Sequence, residues 1–311
     1  MTEKKSLGKK VKESFTRYWM LHLMVLPGLL YFAVFKYVPM YGLIIAFKNY
    51  KGAVGGVSAI FASDWVGLRH FHTFLTSSQF PRLMGNTLIL SGLRLLFVFP
   101  APILLAVLLN EVKNRFFKKS VQTITYMPYF LSWVVVAGLL RILVGAEGPL
   151  NALIVKLGGE SVYFMASAEH FRGLLIISEI WKTVGYGTIV YLAAIAGVDM
   201  EQYEAAQLDG ANRFQQIIHV TLPAIGEIIA IMLILQMGKI MTDNFEQIYT
   251  MYSEAVYSVA DVFDTYIYRT GIIGSNFSYT TAVGLFKSVI SLFLIFVTNR
   301  ASKRLGSEGL F

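Results

Sequence analysis

The sequence predicts an all-α polytopic membrane protein with six transmembrane helices, and three observations carry that prediction. The chain is 55% hydrophobic and only 15% charged, with a mean hydropathy of +0.58, a balance far from that of a soluble domain. Its apolar runs reach the roughly 20 residues that a hydrocarbon core of ~30 Å demands. The runs are continuous rather than alternating, which favours a helical bundle over a closed barrel, the two architectures that satisfy every backbone group in lipid.

Taken in chain order, spans are expected at residues 19–38, 82–109, 121–144, 171–196, 224–245 and 279–299. A basic N-terminal segment, residues 1–18, precedes the first. The apolar run that follows is too long for a signal-peptide core, and no small-residue cleavage site follows between Tyr31 and Tyr41, so it reads as a retained helix. An even number of spans puts both ends on one side. With the N-terminus inside, the inner segments hold Lys4, Lys5, Lys9, Lys10, Lys12, Arg17, Lys113, Arg115, Lys118, Lys119, Arg213, Arg300, Lys303 and Arg304. The outer segments hold Lys48, Lys51, Arg69, Lys156 and Arg269. Positive charge concentrates on the cytoplasmic side, so both termini, including the tail at residues 300–311, are expected in the cytoplasm of a multi-pass plasma-membrane protein. The formal net charge of +8 flanks membrane segments instead of forming one exposed basic face, which argues against nucleic acid.

Residues 19–81 combine the first span with an outer loop in which Tyr41 to Phe47 is apolar but short, and Trp65, Leu68, Phe71 and Leu75 recur near helical spacing. Helices lying along the outer interface are expected there. A second outer loop, residues 246–278, is rich in aromatic and acidic residues such as Tyr249, Asp261 and Asp264, which suits a soluble partner or the mouth of a pathway. Pro27, Pro100, Pro102 and Pro128 fall inside spans, where each removes a backbone donor and kinks its helix. The chain has no cysteine, which excludes disulfides and thiol chemistry.

Residues 199–223 stand apart: a polar, helix-favouring stretch lodged between two spanning runs. Asp199 can cap a helix that begins at Met200, Glu204, Ala205 and Ala206 favour helix, and Gly210 and Ala211 permit a bend or close contact. A second helical stretch runs to about Val220, and Leu222 and Pro223 turn the chain into the fifth span. Asp199, Glu201, Glu204 and Asp209 make the segment acidic on an otherwise basic face, as a basic partner groove would require. No phosphate-cradling GxxxxGK[ST] pattern occurs in the chain, so ATP-driven work would need an ATPase on another subunit.

Glu204-Ala205-Ala206, then Asp209-Gly210, then Leu222-Pro223 at this spacing resemble the loop of binding-protein-dependent ABC importer permeases, EAAxxxG, nine residues, IxLP, with Val220 in place of the Ile. PMYGLIIAFKNY at 39–50, FPAPILLAVLLNEV at 99–112 and VQTITYMPYFLSWVV at 121–135 are similar to the carbohydrate branch, of the LplB or YteP type. The resemblance covers residues 82–299, the permease core, and implies the type I (MetI-like) importer fold. It also implies a second, homologous permease, two ATPase subunits that hold ATP and Mg, and an extracellular or lipid-anchored binding protein that delivers oligosaccharides. Glu204 would pair with a basic ATPase residue, Ala205 and Ala206 would allow insertion, Gly210 would bend the loop, and Pro223 would end it. No catalytic residue, metal site or cofactor is expected on this chain itself. A peptide or amino-acid importer would share the same loop.

Charges inside spans are costly and mark pathway candidates. Glu179 and Lys182 stand at i, i+3 with Trp181 between them, and Lys239 and Asp243 at i, i+4; each couple can neutralise itself locally. Arg94, Arg141 and Lys287 have no same-helix partner, although Arg141 lies near an outer end and can snorkel. Trp133, Trp181, Tyr186 and Tyr191 could stack on sugar rings beside Glu179 and Lys182, or simply pack the bundle. If the substrate carries carboxylates, Lys182, Lys239 or Lys287 would gain a role. An ion-gradient transporter with inverted repeats finds no support in the pattern. An intramembrane enzyme does no better: His22, His70, His72, His170 and His219 lie at span edges or in loops, and neither GxSxG nor HExxH is present.

Overall fold

The computed structural model describes residues 16–50, 56–241 and 244–304. The basic residues Lys4 to Lys12, Lys51, Asp243 and the end of the tail lie outside the described residues. The described chain is helical and contains no strand; its sheet-like pairing is a single bridge between Lys48 and Trp65. Three helices are long and apolar enough to cross a membrane, and up to six spans result if each of three bent helix pairs counts as one. The uninterrupted three are α1 (Trp19–Phe47), α4 (Gln79–Glu111) and the last helix.

Between α1 and α4 lie the short α2 (Gly56–Ala62) and α3 (Arg69–Leu75). The first departure from expectation is here. Tyr41 to Phe47 continues α1 as a tightened 3₁₀ stretch instead of forming a separate interfacial helix, and Trp65 and Leu68 precede α3 instead of belonging to it. The cause is tertiary: Ala46 is fully buried, and Trp65 stacks on Phe47 at 5.7 Å. Before that, α1 exposes apolar residues on every side, and none of Trp19–Phe32 is buried, the signature of a helix bathed in lipid.

Pro27 sits within the uninterrupted α1, where a kink was expected; other prolines are absorbed in two ways. Of four widened, i→i+5 turns among the described residues, one is at Tyr268–Ile273 and three are at Ala33–Tyr37, Arg94–Val98 and Ile217–Thr221, ahead of prolines. Each of these three is centred four residues before a proline, at Phe35, Leu96 and His219 for Pro39, Pro100 and Pro223. A proline ring collides with the carbonyl four residues back and offers it no donor; an extra residue in the turn relieves both problems, as in π-bulges generally. Thus α4 passes Pro100 and Pro102 as one 33-residue helix, where a kink was expected. Pro128 acts differently. The expected third span is α5 (Arg115–Phe130) followed by α6 (Trp133–Leu143), bent by 106° across Leu131 and Ser132.

After α7 (Pro149–Lys156) comes α8 (Ala168–Ala196), an unbroken run of 29 residues. It is the spine of the bundle and packs on both α4 and α5. Gly185 makes the second contact possible, since a Cβ there would lie 2.1 Å from the Thr125 carbonyl oxygen. The loop helices α9 (Met200–Leu208) and α10 (Arg213–Ala224) follow, then α11 (Gly226–Gly238). The fifth span is therefore shorter than 224–245, because the helix closes at Gly238 and Ser91 on α4 donates its hydroxyl to the Ile240 carbonyl.

The second outer segment is folded into the bundle. The short helices α12 (Phe245–Met251), α13 (Tyr257–Ala260) and α14 (Phe263–Ile267) bury Ile248, Val256, Phe263 and the carboxylate of Asp261. Arg269 grips Asp261 at 2.7 Å, and Arg82 of α4 reaches it at 3.2 Å. Burial pulls the Arg269 guanidinium down, but the hydrogen bond and charge of Asp261 outweigh it and hold the group above its usual range. The final helix, α15 (Phe277–Arg304), closes the bundle against α11 and the end of α1. Lys287 of α15 pairs with Asp264, so these acids staple helices together instead of facing solvent.

Candidate functional site

The segment after α8 is built by local interactions. Asp199 accepts from the Glu201 amide at 3.0 Å and caps α9. Gly210 adopts φ +80°, its amide reaching back to Gln207 at 3.0 Å while the Ala211 amide reaches Ala206 at 2.9 Å. That pair of bonds is a Schellman stop, which needs a left-handed residue at Gly210. Asn212 and Gln215 then exchange side-chain and backbone hydrogen bonds of 2.8 and 2.9 Å, a capping box that starts α10. Tyr203 meets the Thr221 hydroxyl at 3.0 Å and ties the two helices together. Arg213 lies 3.7 Å from Glu111 at the end of α4.

The result is a bent pair of helices, α9 at 72° to α8 and α10 at 62° to α11, with Ile217 and Leu222 of α10 packed on the bundle against the core of α4 and α8. Glu204, Ala205, Asp209 and Gly210 are exposed and Ala206 and Ala211 half-buried. Met200 (66%), Leu208 (90%) and Phe214 (70%) expose large apolar side chains among these polar residues. Leu222 and Pro223 lie at the close of the element, Pro223 one residue before its last helical position. The helix runs through them to Ala224 and turns at Ile225, because the widened turn accommodates the proline.

The second candidate region lies inside the bundle on α8. Glu179 does not pair with Lys182. Its carboxylate takes the Arg94 Nε at 2.7 Å and the Asn244 amide at 2.6 Å, and Gln247 extends the network to the Leu175 carbonyl at 2.8 Å. Arg94 and Glu179 are 6% and 8% exposed at the side chain, so the cross-helix pair neutralises two largely buried charges. Beside it lies a cavity of about 160 Å³, lined by Ser91, Arg94, Glu179, Gln236, Lys239 and Asn244 among others. Lys239 is exposed at the C-terminus of α11, where a cation is favourably placed.

Lys182 donates instead to the Tyr129 carbonyl at 2.8 Å, with its ammonium 5.3 and 5.4 Å from the Tyr129 and Trp133 rings. Tyr186 stacks on Tyr129 at 3.9 Å and 7°. Trp133, Lys182 and Tyr186 therefore meet, around a tyrosine that the sequence reading passed over.

Two other candidates part from this group. Trp181 lies about 200° around the helix from Glu179 and lines a separate apolar cavity between α6 and α8. Tyr191 is 2% exposed and packs among Ile103, Val107 and Ile195, which makes it core. One signal for the Arg94–Glu179 pair was legible: between Phe171 and Ala196 the sole acid is Glu179, and a lone intramembrane cation on another span needs such a partner.

Residues 100–307 match the family model described as binding-protein-dependent transport system inner membrane component. The chain is 48% identical over 292 residues to protein LplB of Bacillus subtilis, covering 94% of this chain and 91% of LplB. It is equally identical, over 94% of its length and 90% of the relative, to the polygalacturonan/rhamnogalacturonan transport system permease protein YteP of the same organism. Among solved structures it superposes with a TM-score of 0.88, at 42% identity, on a chain of a bacterial ABC transporter involved in the import of the acidic polysaccharide alginate, covering 95% of this chain and 99% of that one. The same TM-score and identity hold for the alginate transporter in complex with an alginate pentasaccharide-bound periplasmic protein.

Proposed function

The chain belongs to the family of inner membrane components of binding-protein-dependent transport systems, and from that premise we propose that it is the permease subunit of an ATP-driven importer of complex oligosaccharides. The observation that carries the reading is the α9–α10 pair, where exposed Glu204 and Ala205, with Ala206 half-buried beside them, mix with exposed Met200, Leu208 and Phe214 in a patch of charged, small and large apolar residues that suits a protein partner. They suit a cleft on an ATPase subunit, with Glu204 against a basic residue and Asp209, Gly210 and Ala211 at the bend. Leu222 and Pro223 carry the chain back toward the bundle. ATP and Mg belong to two such ATPases, and both termini of this chain lie on their side, in the cytoplasm.

The polar cavity supports a pathway shared with a second permease. Its ~160 Å³ equals only about five waters at ~30 Å³ each, well below the ~300 Å³ at which ligand pockets begin. One chain therefore supplies a wall and not a complete site. The wall is polar through Glu179, Arg94, Asn244 and Lys239, with Lys182, Trp133 and Tyr186 further along the same side of α8.

An acidic glycan is favoured over a neutral one. Two of the similar proteins transport, by name, polygalacturonan or rhamnogalacturonan and alginate. Of Lys182, Lys239 and Lys287, Lys287 is already paired with Asp264, Lys182 is buried beside the Tyr129 carbonyl, and Lys239 is exposed, which makes Lys239 the most accessible of the three for a carboxylate. Reconstituting the tagged complex with its co-purifying binding protein tests the whole reading. Uptake of uronate oligosaccharides that depends on ATP, and that Lys239→Met depresses more than uptake of neutral ones, is expected. Purification of this chain without any ATPase would refute it.

A further inference from the structure

The first half of α5 presents a surface that none of the transport machinery above uses. Lys113, Arg115, Lys118 and Lys119 crowd into seven residues, and between Glu111 and Glu147 the chain carries no carboxylate to balance them. Glu111 is engaged by Arg213. Lys113, Arg115 and Lys119 are exposed.

The helix is also two-faced. The side that carries Thr125 packs on Gly185 of α8. Phe116 (82% exposed), Ile124 (68%) and Met127 (64%) lie on one open side, as spacings of eight and eleven residues from Phe116 place them within about 80° of one another at 3.6 residues per turn. Open apolar residues on a helix that leads into the membrane, rimmed at its start by cations, match a phospholipid in both parts: acyl chain on one and anionic headgroup on the other.

We propose that the start of α5 is a binding site for an anionic phospholipid of the inner leaflet. Lys113, Arg115 and Lys119 hold the headgroup, and Phe116, Ile124 and Met127 carry the acyl chain. The leaflet, though not the lipid site itself, rests on the cytoplasmic orientation proposed above.

The test uses the complete importer in bilayers of phosphatidylcholine with or without phosphatidylglycerol, with retained lipid read by native mass spectrometry. Wild-type complex is expected to retain phosphatidylglycerol. A Lys113→Gln, Arg115→Gln, Lys119→Gln complex should retain at least about tenfold less, since each cation near an anionic surface contributes a several-fold preference. Equal retention would overturn the site. Loss of ATPase subunits from the triple variant with lipid retention unchanged would also overturn it, by assigning the cations to that partner. Labelling of a Ser120→Cys variant by an impermeant thiol reagent, in a chain without cysteine of its own, reads the side independently. Reaction from outside would contradict the orientation alone.

Discussion

The α9–α10 pair and the polar interior of α8 are separated by one helix end, yet they are held in opposite ways. The bonds that cap and stop the helices at the loop bend span only a few residues, Asp199 to Glu201, Ala211 to Ala206 and Asn212 to Gln215, with Tyr203 to Thr221 and Arg213 to Glu111 as its longer ties. In the interior, Glu179 meets partners 85 and 65 residues away in the chain. A region shaped by local bonds can project into solvent and be gripped by another protein without loss of form. A region shaped by long-range charge pairing exists only while the bundle is assembled, and a change in helix packing alters it.

Breaking each region should therefore produce effects of different size and reach. The largest is expected from Glu179→Ala, which leaves the Arg94 guanidinium buried without its carboxylate. Loss of one member of a buried pair costs about 3–5 kcal/mol, which should appear as a marked drop in the melting temperature of the detergent-solubilised complex. Replacing Arg94 and Glu179 together by Met should recover much of that loss. A double variant as unstable as the single one would show that the pair is not what neutralises the interior.

Next comes Gly185→Ala, whose Cβ would press on the Thr125 carbonyl. Overpacking of this kind costs about 1–3 kcal/mol and should weaken the α5–α8 contact throughout the complex, read by the same melt. In the loop, Gly210→Ala meets no neighbouring atom but must hold a left-handed conformation, at about 1–2 kcal/mol. Its effect should be confined to faster hydrogen exchange in α9, with the bundle's melting temperature unchanged. The smallest, Asn212→Ala, removes the cap of α10 at about 1 kcal/mol and should speed exchange in the first turn of that helix alone. A global loss of stability from either loop variant would erase the distinction between the two regions.

The same contrast governs what could be read from the sequence. The shape of the α9–α10 segment was legible nearly residue by residue, because Asp199, Gly210 and Pro223 act on their own neighbours. There Pro223 marks the turn to within one residue, the widened turn carrying the helix on only to Ala224. The three long helices were legible from apolar length. The 106° bend of the third span was not, because Pro128 gives a position for a break but no angle. The site on α8 was legible as a set of residue types and not as a set of contacts. Glu179 and Lys182 looked like a local pair, and only the packing of α4 and α5 against α8 shows that Arg94 and Tyr129 take them instead. Trp181 and Tyr191 part from the Glu179 group for a reason available in principle: at 100° per residue they lie off the face that Glu179 and Tyr186 share.

The central claim is that α9 and α10 form the contact through which an ATPase drives this permease, and exchange of one exposed charge tests it most directly. Glu204→Lys should leave the melting temperature and the second permease in place while stripping the ATPase subunits from the purified complex and abolishing substrate-stimulated ATP hydrolysis. Full retention of the ATPases, with hydrolysis still stimulated by substrate, would contradict the claim.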